Sequence, residues 1–388
     1  MAQPATETPV KAQVQARPPV VTPDQVEMPP QTPASAPVAV APSVKPEPHI
    51  ALLLPLKSAA FGRAAEAVQM GFLAAASSQR HSLPIKVYGS LDESQDIVAL
   101  YQQAVANGAV AVAGPLTRDG VTALTAHAEI KIPTLALNLA DSKGAYNLYF
   151  FGLSMEAEAR QAAQLAAAAK LRYATIVSTN TPLTKRLSQA FSEEWKALGG
   201  SITAEILFND DLAVLALLPT APGDIAPDPD APPTIAPGNM VFLAADAEKA
   251  RMIRPYLNAA LPIYATSQLF SGNADTLANY DLNDIRFVDM PWLLQPDHPA
   301  VMIYPRANPP LGPDRERLYA LGIDAFRLLQ ILYDNSYRTT LPLDGVTGRI
   351  LLTNDNQFHR NAIPAQIRQG HSQASDLLMP KSLLPARP

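Results

Sequence analysis

The chain has 388 residues, 48% of them hydrophobic and 17% charged, enough apolar material for a large buried core in two or three domains. A net charge of −5 offers no basic surface to neutralise phosphates, which disfavours nucleic-acid binding. The absence of cysteine excludes disulfides, thiolate catalysis and Cys-ligated zinc, and no run approaches the roughly 18 apolar residues of a membrane helix.

Proline is unevenly placed. Twelve of the 38 lie in Met1–Pro48, a segment with no Gly and no aromatic residue. Such a segment buries too little area to offset the entropy of ordering, so it reads as a disordered Pro-rich linker of polyproline II character. At roughly 3.1 Å per residue it reaches about 100 Å or more, which suits either a loose tail or a tether. Its opening, MAQPATETPV, lacks the basic and apolar regions of a signal peptide. That leaves a cytosolic protein or an exported one whose signal lies outside this chain.

The texture changes at His49. Ile50–Leu54 is a continuous apolar run that predicts a buried parallel strand. Phe61, Ala65, Val68, Phe72 and Ala76 follow at helical spacing. Ile85–Tyr88 predicts a second strand; Ile97, Leu100, Tyr101 and Ala104 mark a helix stopped at Asn107-Gly108. Ala109–Ala113 and Pro133–Leu137 are further strands, separated by Gly114-Pro115-Leu116-Thr117 and a short helix through Ala128. Such alternation implies a parallel sheet with helices on both faces.

A second run begins at Ser154, a helix cap, with strands at Tyr173–Ser178, Ser201–Phe208, Met240–Ala245, Ile263–Thr266 and Arg286–Met290. Between them lie helices from Thr181-Pro182 to Leu198, over Asp211–Leu218 and around Ala247–Asn258, and a second Pro-rich stretch, Pro219–Pro237. Residues 153–290 therefore form a second lobe with an insertion at 219–237, after a first lobe over 49–152. A long helix from about Asp314 to Asn335 returns the chain to the first lobe over 291–344. The strand Leu343–Thr353, with Gly345 and Gly348 where the chain turns, and the segment Phe358–Ile367 lead back to the second lobe over 345–370, and 371–388 reads as a flexible tail. In such sheets ligands sit beyond the carboxyl ends of the strands. The loops so marked are Pro55–Gly62, Gly114–Gly120, Asn138–Ser142, Ser178–Thr184, Asp246–Glu248 and Ser267–Gly272.

The search for chemistry returns little. Neither G-x-x-x-x-G-K-S/T nor G-x-G-x-x-G is present, so both phosphate cradles are missing. No G-x-S-x-G, S-x-x-K or K-T-G occurs. His49, His81, His127, His298, His359 and His371 form no zinc spacing. Glu193-Glu194 belongs to the solvated face of its helix, and Trp195 to the buried stripe. Trp292 either flanks the cleft or packs at the hinge, and Tyr146, Tyr149, Phe150 and Phe151 read as aromatic hinge packing. Asp224, Asp228 and Asp230 have a calcium-like look without the Gly and spacing of an EF loop, and read as a mobile loop. Gly114-Pro115-Leu116-Thr117 either lends a hydroxyl and N–H groups to a bound carboxylate or is simply a strand-to-helix turn. No active site, metal site or cofactor site is expected.

The residues also carry a resemblance. His49–Leu56 (HIALLLPL) with Phe61-Gly62, Ala113–Thr117 (AGPLT) and Pro133–Leu139 (PTLALNL) resemble the first lobe of type I periplasmic binding proteins. Leu343–Arg349 (LDGVTGR), Phe358–Arg360 and Gly370 resemble their closing return. Within that superfamily the wording is most similar to LppC/LpoA-type penicillin-binding protein activators, over about His49–Gly370. The resemblance implies an α/β, two-lobed Venus-flytrap fold in an outer-membrane lipoprotein facing the periplasm. It further implies a non-catalytic partner of a class A penicillin-binding protein in peptidoglycan synthesis. Two departures stand out: there is no lipid-acceptor Cys in this chain, and the linker stands where better-known members carry a helical-repeat domain. The alternative is a solute-binding receptor for an amino acid or similar small molecule. Its candidate cleft residues are Ser58, Thr117, Asn138, Thr181, Asp246 and Ser267, with Asp246 either meeting an ammonium or capping a helix.

Overall fold

A computed structural model describes residues 46–79, 82–139, 146–217, 238–274 and 276–374. Residues 1–45 of the expected linker, the insertion Pro219–Pro237 with its three aspartates, His81, Ser142 and residues 375–388 lie outside them.

The first half follows the predicted alternation: β1 (His49–Leu54), α1 (Gly62–Ser77), β2 (Ile85–Gly89), α2 (Glu93–Ala106), β3 (Ala109–Ala113), α3 (Arg118–His127), β4 (Thr134–Ala136) and β5 (Leu148–Phe151). The second run gives α4 (Met155–Ala168), β6 (Tyr173–Thr179), α5 (Pro182–Ala197) and β7 (Ser201–Phe208). A 3-10 turn, Leu212–Leu217, stands where a helix was predicted. The lobe continues through β8 (Asn239–Ala244), α6 (Ala247–Ile253), β9 (Ile263–Ala265), α7 (Thr276–Tyr280) and β10 (Arg286–Asp289). Then come α8 (Pro291–Leu294), α9 (Pro299–Met302), α10 (Pro313–Tyr333), β11 (Leu343–Asp344), β12 (Arg349–Leu352), β13 (Gln357–Asn361), β14 (Ile363–Arg368) and β15 (His371–Ala374).

The strands make two sheets, one ordered β11-β12-β13-β5-β4-β3-β1-β2 and the other β15-β14-β10-β9-β8-β6-β7. Pairing is parallel from β13 to β2 and from β10 to β7, and antiparallel at the β11–β12–β13 and β10–β14–β15 ends. Three sequence expectations are corrected here. Gly345 and Gly348 turn the chain as expected, but the turn divides Leu343–Thr353 into two strands, β11 and β12, which pair as a hairpin. The return to the second lobe therefore comes at Ala362 and not at Gly345. Gln357 and Phe358 pair in parallel with Phe150 and Phe151, and Phe358 is buried in the first core. The expected tail also begins too early, because His371–Ala374 pairs with β14.

Both faces of each sheet are covered. In the first lobe α1 and α10 close one face over Leu52, Leu54 and Phe72, and α2 and α3 close the other over Leu53, Ile97 and Tyr101. In the second lobe Phe191 stacks on Phe242 at 4.1 Å, and Trp195, buried as expected, donates its indole N–H to Ser201 O at 3.1 Å. Phe150 and Phe151 are buried, whereas Tyr146 is 88% exposed and takes no part in the aromatic packing.

The approach of α1 to α10 depends on two glycines that face each other's backbone. A Cβ at Gly71 would lie 1.9 Å from Tyr319 O, and one at Gly322 would lie 2.1 Å from Val68 O. Glycine inside a helix ordinarily costs about 1 kcal/mol relative to alanine; here it permits backbone contact that no side chain allows. Gly322→Ala is expected to lower stability by roughly 1–3 kcal/mol, overpacking outweighing the gain in helix propensity. A urea titration checks this, and an unchanged midpoint would contradict the packing account.

Candidate functional site

The chain crosses between lobes three times, at Gly152–Ser154, at Met290 and at Ala362, each time leaving the carboxyl end of a strand. The carboxyl ends of both sheets thus meet at the junction, where the candidate loops lie. The six candidate residues do not share one pocket. Ser58 Oγ accepts the Phe61 N–H at 3.4 Å in the turn after β1. Thr117 caps α3 through Gly120 N, and Thr181 caps α5 in a capping box with Thr184. Asp246 caps α6 through Lys249 N at 2.9 Å. Asn138 Nδ2 donates to Leu116 O at 3.0 Å, and Ser267 is buried within a network of charges.

The Gly114–Thr117 loop does hold a carboxylate, but one of the chain's own. Glu93, in the first turn of α2, is 2% exposed. Leu116 N donates to both of its oxygens at 3.1 Å, and Thr117 N donates to Oε2 at 2.6 Å. Gly120 makes room for it, since a Cβ there would lie 2.6 Å from Glu93 Cβ. The N–H groups that would meet a ligand's carboxylate are therefore occupied from within. In the sequence Glu93 looks like an ordinary first-turn acid favoured by the helix dipole, and nothing nearby marks it as buried. Burial pushes its carboxyl above the usual glutamate range, more than the N–H donors pull it down.

Behind the cleft, a continuous line of buried polar groups ties the lobes together. Arg317, on α10 of the first lobe, donates to Asp289 of β10 through Nη2–Oδ2 at 2.6 Å and Nε–Oδ1 at 3.2 Å. The same Nη2 donates to Ser267 O at 3.1 Å and Phe270 O at 3.0 Å. Ser267 N donates to Glu158 Oε2 at 2.9 Å, and Glu158 Oε1 accepts from Arg360 of β13. Arg360 Nη1 reaches Thr347 O at 3.2 Å, while Thr347 N and Oγ1 donate to the buried Asp324. Both arginines come from the first lobe, and both of their carboxylate partners come from the second. Trp292 lies nearby as hinge packing: it is fully buried, bonds Glu316 at 2.5 Å and carries Arg306 3.8 Å over its ring.

One open cavity of about 300 Å³, lined by Arg118, Gly152, Glu156, Arg160 and Arg360, touches this line, and two more flank it. One, of about 330 Å³, is lined by Arg118, Asn138, Ser154, Glu156 and Arg186. The other, of about 300 Å³, lies between Asp246, Arg251 and Gln268 of the second lobe and Asp314 of the first. So the structure brings Asn138 and Asp246 to different cavities and leaves Ser58, Thr117, Thr181 and Ser267 out of both. Among the described residues no group of three or more His, Asp or Glu side chains is arranged to hold a metal ion.

The family described as "LppC putative lipoprotein" matches residues 32–219 and 232–370. The chain belongs to that family. Among curated relatives, the Penicillin-binding protein activator LpoA of Edwardsiella piscicida is 27% identical over 311 residues, covering 72% of this chain and 44% of its own length. The chain thus spans about half the length of the curated relatives it matches. A solved structure described as a "putative branched-chain amino acid ABC transporter" from Chromobacterium violaceum superposes with a TM-score of 0.68 at 34% identity, over 82% of this chain and 99% of that one. The LpoA (YraM) C-domain from Haemophilus influenzae, described as a regulator of PBP1A, gives a TM-score of 0.67 at 24% identity, over 84% and 99%. The fold of this LppC-family chain is the two-lobed type I periplasmic-binding-protein fold.

Two predictions follow from the buried carboxylates. A glutamate whose folded value is raised contributes stability that is full below the unfolded value, about 4.3, and is lost as pH rises through the folded one. The wild type should therefore lose melting temperature relative to Glu93→Gln between pH 4 and 7, and a constant difference would refute the assignment. Arg317→Met strands Asp289 and should cost about 3–5 kcal/mol, whereas Arg160→Gln, at the exposed pair with Glu193, should cost less than about 1 kcal/mol. Equal effects in urea unfolding would remove the interlobe pair from its structural role.

Proposed function

We propose that this chain is a non-catalytic regulator that binds and stimulates a class A penicillin-binding protein in peptidoglycan synthesis. It works in the periplasm, with the full precursor anchored to the outer membrane as a lipoprotein. Membership of the LppC family and relatives named as penicillin-binding protein activators support the reading. No helix among the described residues is long and apolar enough to cross a membrane.

The observation that favours a regulator over a solute receptor is Glu93. A receptor needs free N–H groups for its ligand's carboxylate, and here Leu116 and Thr117 already donate to a buried side chain. The interlobe ion pairs point the same way, because separating the lobes at this junction would break both pairs together with the carbonyl contacts of their arginines. Regulation then works by differential binding to two states of the partner, with no transfer of atoms.

The test is a titration of the full chain against the ectodomain of a class A penicillin-binding protein from the same organism, reading binding and cross-linking rate together. Saturable binding with faster cross-linking is expected. No binding and no rate change, together with a melting-temperature rise on adding a free amino acid, would transfer the assignment to the receptor.

A further inference from the structure

The cavity that touches the interlobe line and the one lined by Asn138 share Arg118, Leu139, Ser154 and Glu156, so they form one hollow at the junction. Its two parts hold about 330 and 300 Å³, within the range of about 300–1,000 Å³ of small-molecule sites. Four arginines line it, Arg118 and Arg360 from the first lobe and Arg160 and Arg186 from the second. The chain itself answers three of these charges. Arg360 meets Glu158, Arg186 bonds Glu156 at 2.8 Å, and Arg160 lies 3.7 Å from Glu193. The Arg118 side chain, exposed at the start of α3, enters no hydrogen bond or ion pair among the described residues. One positive charge is thus left over, and it stands near Arg186. Burial pushes the Glu156 carboxyl up, but the Arg186 bond and the Arg118 charge hold it below the usual glutamate range. Arg360 also keeps a buried Nε with no hydrogen-bond partner, so acceptors are short at that end too.

Other parts of the wall are apolar: Leu139, Leu153, Met155 and Leu183 line the hollow and are only partly buried. A guanidinium presents a fork of N–H donors that matches a carboxylate or a phosphate. Apolar surface left wet gains by being covered with hydrocarbon. We infer that the hollow binds a small molecule with a carboxylate or phosphate head and a short apolar body. The head lies between Arg118 and Arg186, and the body covers Leu139, Leu153 and Leu183. This use of the hollow needs none of the N–H groups that Glu93 occupies. Because Arg118 belongs to one lobe and Arg186 to the other, an occupant adds a further tie across the junction. The inference stands independently of the regulator reading.

The test uses the full chain with hexanoate, hexyl phosphate, acetate and the neutral hexanamide as probes, read by titration calorimetry and melting temperature at fixed ionic strength. At least one of the two hexyl acids should bind saturably and raise the melting temperature, and the tighter of the two identifies the head group. Hexanamide should not bind. Arg118→Gln, at an exposed position without a partner, should melt as the wild type does without probe and bind about tenfold more weakly, the effect of losing one charge-assisted contact. Arg63→Gln, exposed on α1 and outside the hollow, should bind as the wild type does. Hexanamide or acetate binding as tightly as the hexyl acids, unchanged affinity in Arg118→Gln, an equal loss in Arg63→Gln, or no binding of either hexyl acid at millimolar concentration would overturn the inference.

Discussion

The arrangement of the two lobes rests on charges that neither lobe could bury alone. Arg317 and Arg360 project from the first lobe into a region almost without solvent, and Asp289 and Glu158 receive them from the second. A lone buried ion costs several kcal/mol, whereas a pair with its remaining hydrogen bonds filled can break even. Here backbone carbonyls of Ser267, Phe270 and Thr347 fill the surplus donors. The junction is consequently specific in angle: small displacements lengthen several short bonds at once.

The same economy governs the cleft mouth. In this fold the loops after parallel strands gather free N–H groups, which suits them to anions. Glu93 turns that property inward, converting a receptor's recognition loop into an internal hydrogen-bonded brace between α2 and the start of α3. The loop is thereby held in shape from within the chain.

Much of the fold was legible from the chain because buried parallel strands, amphipathic helices and their caps leave local marks. Ile50–Leu54, the buried side of α5 and the caps at Ser154 and Thr181 were all readable. The candidate site was much less so, and for a definite reason. Hydroxyls and carboxylates just after a strand are what a ligand site needs and also what a helix start needs. Thr117, Thr181 and Asp246 proved to be caps, a distinction set by distances of about 3 Å that sequence does not contain. The interlobe network was invisible because its partners lie far apart, Glu158 and Arg360 being separated by 202 positions. The β11–β12 hairpin was half-readable: the glycines mark its turn, but a two-residue β11 is too short to stand out as a strand of its own.

The three crossings mean that neither lobe is a contiguous stretch of chain. During synthesis the second lobe's central strands emerge while its partner still lacks α10 and β13. Glu158 and Asp289 must then wait, exposed to water, until Arg317 and Arg360 leave the ribosome. The residues that weld the molecule are therefore made well after the carboxylates they meet, and a product cut short before Arg317 would lack both ion pairs of the seam.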